Sequence, residues 1–384
     1  MQLSEDEESA LKGGYGETIA SAYRILLAIG EATEAKKLVP IKWAHVSGIN
    51  YNTIGDAGVE FLEKFSSGAK VSVKTTINPM GFDRNKPNNL SENFVRQQMR
   101  IVKSYEIMGT TPSFTCIPYE IFDIPKKGSA VSFAESNAAV FSNSVLGLST
   151  NKESALSALA SSVTGKAPYS DLRIEEFRYP KVTIRPEFKL VSELDYGFLG
   201  YFAGKVVQDN CVAFDGITEK PDMIKLKSLS AAIGTTGSCG MFTLGKFNEE
   251  VISFGKEEVN AIKDEVNTAD DGNFIILGSP QLGIYELNLL ADLLEGKKFS
   301  KHCMIFCARA IYNSATQIGL TDKIERAGCE FMCDSCTCLT PLVTRNDVDS
   351  VITNSVKGAY YLNHSNKIGV ALRDFKTIVK EYTN

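Results

Sequence analysis

Histidine is scarce in this chain of 384 residues: it occurs three times, as His45, His302 and His364. That argues against a metal centre built from imidazoles. Tryptophan occurs once, and proline twelve times against thirty glycines. The balance excludes fibrous and proline-rich architectures and points to tight turns and close backbone approaches. No apolar run reaches the length that spans a bilayer. Positive charge is not in surplus: 41 Lys and Arg stand against 46 Asp and Glu, a net charge of −5. Such a balance speaks against nucleic acid or an anionic membrane as the main partner. The opening MQLSEDEESAL is acidic, unlike a secretory leader. The expected location is cytoplasmic.

Cysteine is the anomaly. Six of the nine lie between positions 303 and 338. An odd number in a reducing compartment reads poorly as a disulfide framework. With so little histidine, any bound metal is expected on thiolates. Cys333 and Cys336 form a C-x-x-C pair, which suits zinc, iron–sulfur or redox work. A complete four-cysteine iron–sulfur run is absent. Cys303 and Cys307 read as buried thiols, and Cys116 stands alone before Ile117-Pro118-Tyr119.

The length calls for two or three domains. Ser4 and Glu7 fit a capping box. Helix periodicity runs over 17–34, 53–65 and 91–108, and strand patterns over 41–46 and 71–76. Short extended pieces are expected at 113–116 and 130–133. Residues 168–195 read as a linker with strands. From 270 onward strands and helices alternate: a strand at 274–277, a Gly-Ser-Pro turn, a helix over 284–294, a strand at 303–306, a helix near 308–317, and strands at 330–332 and 351–353. This rhythm predicts parallel sheets flanked by helices, an α/β fold. Divisions are expected near 170 and 265, giving segments 1–170, 171–265 and 266–384.

Ligands in open parallel sheets bind beyond the carboxyl ends of strands. Polar clusters fall there at His45–Asn50, Thr76–Gly81, Cys116–Tyr119, Phe133–Asn137, Gly278–Gln281 and Cys333–Cys338. Each reads as a turn or helix cap unless several converge. Gly234–Gly240, GTTGSCG, lacks the Walker lysine and the Rossmann spacing, and leaves a phosphate-cradling turn as one reading.

Taken together and in order, the segments SGINYNTIGDAGVEFLE, TTINPMGFD, GTTPSFTCIPY, FAESNAAVFSNSVLG, TNKESALSALASSVTG, GSPQLGIYEL, CDSCTCLTPL and TNSVKGAYY resemble the large subunit of the aconitase X family. They sample most of the chain. The resemblance implies an aconitase-like multidomain α/β fold without the swivelling domain. That domain is then expected on a separate small subunit, which would also bring the catalytic serine. It implies a [4Fe–4S] cluster whose thiols map to Cys116 and Cys336. The third position falls on Ser279, because the family reads Gly-Cys-Pro-His where this chain has Gly278-Ser279-Pro280-Gln281. A serine alkoxide holds iron far less readily than a thiolate, so a labile cluster is expected. Cys333 and Cys338 lie close by in sequence. Alternation along an extended segment would point Cys336 and Cys338 one way and Cys333 the other.

Substrate residues implied by the same motifs are Gly48, Ile49, Asn50, Asn78, Pro79, Glu135, Ser136, Asn137 and Lys357. Glu135, Ser136 and Lys357 are the catalytic candidates: Glu135 orients substrate or acts as general acid, and Lys357 meets a carboxylate or phosphate. Arg173 and Arg178 are further candidates for a phosphate end. The family more often has Ser at Asn50 and His at Tyr360, and the segment Gly245–Glu250 also departs from its pattern. The implied activity is a hydro-lyase that dehydrates (R)-5-phosphomevalonate to trans-anhydromevalonate 5-phosphate. Alternatives are a dehydratase of another small hydroxy acid, such as cis-3-hydroxy-L-proline, and a cluster-less scaffold protein.

Overall fold

The computed structural model describes residues 1–87, 90–247, 251–344 and 348–384. Residues 248–250 of the divergent Gly245–Glu250 segment therefore lie outside the described residues.

Parallel strands dominate. A three-stranded sheet runs in the order Lys74–Ile77, Trp43–Val46, Ser132–Phe133. A four-stranded sheet runs Phe242–Leu244, Val212–Phe214, Val182–Pro186, Val251–Phe254. A five-stranded sheet runs Cys329–Cys333, His302–Cys307, Phe274–Leu282, Ser350–Thr353, Gly369–Leu372. All pairings within these three sheets are parallel. One antiparallel pair, Leu38–Pro40 with Lys166–Pro168, ties the end of the first segment back to its start. Strands such as Trp43–Val46 and Ser132–Phe133 are wholly buried, as sheets covered on both faces require.

Local chemistry sets the helix ends. Ser4 and Glu7 form the capping box of helix Glu5–Leu11. Ser91 caps Glu92–Met108, and left-handed Gly109 closes it. The amphipathic pattern over 17–34 becomes helix Glu17–Ala32, and that over 53–65 becomes Tyr51–Ser66.

Several expectations change. The Gly-Ser-Pro turn is absent, because strand Phe274–Leu282 continues through it with a register shift between Leu277 and Leu282. Gly278 makes this possible: its φ is +127°, and an added Cβ would lie 2.5 Å from the carbonyl oxygen of Phe306. Residues 113–116 form no strand. The phosphate-cradling reading of Gly234–Gly240 also fails. Gly234–Thr236 end helix Met223–Thr236, and Lys152 Nζ donates to the carbonyls of Gly234 and Gly237, so the segment presents the carbonyl end of a helix, which repels a phosphate. The stretch 168–195 holds a strand, Val182–Pro186, as expected, and helix Glu193–Val207 begins at its end.

Two units repeat a local design. Helix Ser136–Phe141 follows strand Ser132–Phe133 and runs into a π-helical turn, Ser142–Leu146, closed by left-handed Gly147. Helix Val356–Tyr361 follows strand Ser350–Thr353 and runs into the π-helical turn Leu362–Asn366, closed by left-handed Lys367. Such turns are rare and gather at functional sites.

Between the sheets lies a buried triad. Lys227 Nζ donates to Glu120 Oε1 at 2.8 Å and also pairs with Glu286. Burial alone would lower the Lys227 ammonium, but the two carboxylates outweigh it and raise it well above its ordinary range. Stripping the ammonium from two buried acids is costly. Lys227→Met is expected to lower stability by about 3–5 kcal/mol, read as the urea midpoint at constant slope. The triple variant Lys227→Met, Glu120→Gln, Glu286→Gln should recover most of that loss. An unchanged midpoint in the single variant would show the triad to be solvated.

Candidate active site

The carboxyl ends of the three-stranded and five-stranded sheets face one cavity of about 860 Å³. Gly48, Ile49, Asn50, Asn78, Pro79, Glu135, Ser136 and Lys357 line it, together with Cys116, Ser279 and Cys336. One residue of the expected set stands apart. Asn137 is fully buried and not on the cavity wall; its amide donates to the Cys116 carbonyl at 3.2 Å and to the Tyr119 hydroxyl at 3.0 Å. Its geometry is that of a support for the Cys116 segment. Arg173 and Arg178 are also away from the cavity. Arg173 is buried against Glu153 at 2.7 Å, and Arg178 donates to the carbonyls of Leu172, Asn143 and Leu148.

Glu135 and Lys357 lie at the starts of the two repeated helices. Lys357 Nζ donates to Glu135 Oε1 at 2.5 Å. Burial would push the Glu135 carboxyl up, but the Lys357 ammonium and the Asn78 amide outweigh it and hold it below the ordinary carboxylate range. Lys357, conversely, is raised by Glu135 against the effect of burial. Both groups are therefore charged.

A hydrogen-bond chain fixes this carboxylate from behind. Trp43 Nε1 can only donate, and it donates to Thr76 Oγ1 at 2.8 Å. The Thr76 hydroxyl then donates to His45 Nδ1 at 2.8 Å, leaving the proton on Nε2. His45 Nε2 donates to Asn78 Oδ1 at 2.8 Å, and Asn78 Nδ2 donates to Glu135 Oε2 at 2.9 Å. The ionised acceptor fixes the Asn78 amide, and with His45 neutral the remaining polarities follow. His45 is fully buried, and burial lowers its pKa to about 4.

Three thiols meet on the cavity floor. Cys336 interacts with both Cys116 and Cys338; hydrogen bonds from those two thiols pull its own pKa well down. Burial pushes the Cys116 thiol up. Cys338 Sγ lies 3.2 Å from Ser279 Oγ. Gln281 secures the arrangement. Its backbone N–H donates to Cys116 Sγ at 3.1 Å, and its side chain bonds Phe114, Ser335 and the Cys116 N–H. Cys333 points elsewhere, toward Cys307 at 4.0 Å. Cys336 and Cys338 do share a direction, but through a tight turn and not an extended segment: the N–H groups of Leu339 and Thr340 both bond the Cys336 carbonyl.

Among the described residues no group of three or more His, Cys, Asp or Glu is placed to hold a metal ion. Soft sulfur donors beneath an open cavity, with an N–H already directed at one of them, instead suit a larger thiolate-held group such as an iron–sulfur cluster. Sequence reasoning gave no role to His45, to Gln281 or to the chain from Trp43. Each sits beside a recognised motif residue, but its role depends on contacts between segments.

Comparisons with known proteins show the family and the fold. Sequence models of the Aconitase X first, second and third domains match residues 1–176, 180–273 and 272–384. The phosphomevalonate dehydratase large subunit of Methanocaldococcus jannaschii is 34% identical, over 99% of this chain and 100% of that protein. The protein of the same name from Thermococcus kodakarensis is also 34% identical, with the same coverage. Cis-3-hydroxy-L-proline dehydratase of Hypocrea jecorina is 31% identical over 94% of this chain, which spans 65% of that longer protein. The crystal structure of Thermococcus kodakaraensis aconitase X in its holo-form superimposes with a TM-score of 0.92 at 33% identity, covering all of both chains. The chain belongs to the aconitase X family, with its aconitase-like α/β fold. Within that family it is a dehydratase, an enzyme of the hydro-lyase class.

The chain of polarities gives a pH prediction. Folded His45 takes a proton only near pH 4, whereas the unfolded residue does so near 6.5. Between these values the unfolded chain binds more protons, so stability falls on acidification from about pH 6.5 to about pH 4. At roughly 1.4 kcal/mol per pKa unit, the loss across the window is about 3 kcal/mol. Nitrogen NMR of the imidazoles should show His45 as the Nε2–H tautomer down to about pH 4. A midpoint near 6.5 for this residue would contradict the assignment.

Proposed function

We propose that the chain is the large subunit of an iron–sulfur hydro-lyase that dehydrates (R)-5-phosphomevalonate to trans-anhydromevalonate 5-phosphate. The observation that carries this reading is one cavity containing both a floor of thiols and a buried Glu135–Lys357 pair. Cys116 and Cys336 are the sulfurs that would hold the cluster, with the remaining position at the Ser279 corner. When bound, such a cluster supplies a Lewis-acidic iron that polarises a hydroxyl and a carboxylate.

The rest falls to side chains. Elimination removes a proton from the carbon next to the carboxylate, breaks the C–O bond at the neighbouring carbon, forms the double bond between them and releases water. Glu135 starts as a carboxylate because Lys357 is beside it. If the ammonium turns to the incoming anionic substrate, burial raises the Glu135 pKa; the carboxylate then takes up a proton from water in the open cavity and, as the acid, passes it to the departing hydroxyl. Asn78 keeps the carboxyl oriented from behind. Gly48, Ile49, Asn50, Pro79 and Ser136 shape the wall. Asn52, Thr53, Thr340 and Ser365 offer neutral donors to a phosphate.

Among the described residues of the wall, Glu135 and Lys357 are the charged side chains. A hydroxyproline ammonium would need an acid of its own, and Glu135 is already engaged. A phosphate would likewise need a cation, and Lys357 is engaged by Glu135; what supports the phosphorylated substrate is the likeness to the phosphomevalonate dehydratase large subunits. The base that takes the carbon-bound proton is assigned to a serine on the small subunit, which carries the swivelling domain. The assembly is read as cytoplasmic. No described helix is long and apolar enough to cross a membrane.

The test is anaerobic co-purification with the small subunit and assay on phosphomevalonate, with loss of water followed by mass spectrometry. Turnover is expected only with both subunits. Glu135→Gln should lower kcat by about 10²–10⁴-fold, and Lys357→Met should weaken substrate binding as well. Turnover of cis-3-hydroxy-L-proline without turnover of phosphomevalonate would sink the substrate assignment.

A further inference from the structure

We infer that Cys338, and not Ser279, supplies the third sulfur of the cluster site, so that this chain has moved one ligand from the strand end to the neighbouring turn. The inference rests on the iron–sulfur reading above and deepens it. Four observations carry it. Cys338 lines the cavity beside Cys116 and Cys336. Its sulfur reaches the corner that Ser279 occupies, 3.2 Å from the serine oxygen. The turn that delivers it is fixed: the Leu339 and Thr340 N–H groups bond the Cys336 carbonyl at 3.0 and 3.2 Å, and Asn50 Nδ2 donates to the Leu339 carbonyl at 2.9 Å. Asn50 thus anchors the sulfur-bearing turn to the opposite sheet.

Donor chemistry decides between the two candidates at that corner. A thiol ionises far more readily than a hydroxyl, and its sulfur is the softer donor for iron. Ser279 is 2% exposed, and the Ser355 hydroxyl donates to its carbonyl, so its place in the strand is held from behind. With Cys338 as ligand, the Ser279 hydroxyl becomes a hydrogen-bond donor to the bound sulfur. It then supports the ligand from outside the iron's own shell.

The experiment measures iron and acid-labile sulfide per chain, with electron paramagnetic resonance of the reduced protein, after matched anaerobic and brief aerobic handling. The chain is co-expressed with the small subunit, and folding of every variant is checked by thermal unfolding. Cys338→Ala should lose iron at least about tenfold relative to wild type. Ser279→Ala should keep its iron under anaerobic handling and show a shifted resonance signal. The double variant Ser279→Cys, Cys338→Ala should regain iron by returning a sulfur to the strand end. Wild-type iron and an unchanged spectrum in Cys338→Ala would overturn the inference, as would loss of iron in Ser279→Ala with retention in Cys338→Ala. Cys116→Ala separates the two layers of argument. If it strips the cluster while Cys338→Ala does not, only the ligand assignment fails. If wild type itself takes up no iron or sulfide, the iron–sulfur reading fails and this inference with it.

Discussion

A carboxylate and an ammonium removed from water survive only in each other's company, and Glu135 and Lys357 lie in that position between two sheets. Neither charge would tolerate the site alone. The N-terminal sheet brings one, the C-terminal sheet brings the other, and the cavity exists where they meet. The hydrogen-bond chain from Trp43 to Asn78 aligns the carboxylate from behind, and the charged acceptor at its end sets the histidine tautomer. The repeated strand, short helix and π-helical turn present the two partners from the starts of their helices, Glu135 as N-cap and Lys357 two residues beyond the N-cap Ser355.

The thiol floor is held by the same meeting of segments. Gln281, on the five-stranded sheet, bonds the Cys116 segment through its backbone and side chain and reaches Ser335 on the turn-bearing strand end. Met80 pairs with the Asp334–Ser335 backbone, which draws the first sheet onto the same region. A ligand that lives on one segment therefore has its position set by another. This is how Cys338, on the turn, comes to share a corner of the cavity with Ser279 on the strand.

The helices that were legible are those whose signals are local. Ser4 with Glu7 and Ser91 before Glu92–Met108 are contacts within one turn, and amphipathic periodicity needs no distant partner. The parallel rhythm after residue 270 was legible for the same reason, although the strand Gly369–Leu372 and helix Phe375–Tyr382 passed unnoticed. Gly278-Ser279-Pro280 reads as a turn by composition, yet neighbouring strands hold it in the sheet. The cavity-lining motifs could be named through family resemblance. The reason Asn137 faces away from the cavity, and the reason His45 and Gln281 matter, lies in partners that no spacing rule connects to them.

Cys116 and the turn carrying Cys336 and Cys338 come from distant parts of the chain, and this has a consequence for biogenesis. A nascent chain that has exposed only its first sheet presents Cys116 and Glu135 on an open face, with neither the companion thiols nor the lysine in place. Domains tend to fold as they leave the ribosome, the N-terminal ones first. Here the cavity closes only once Lys357 has been synthesised and its sheet has docked. Any group that these thiols hold together can therefore be seated only after the whole chain has been made.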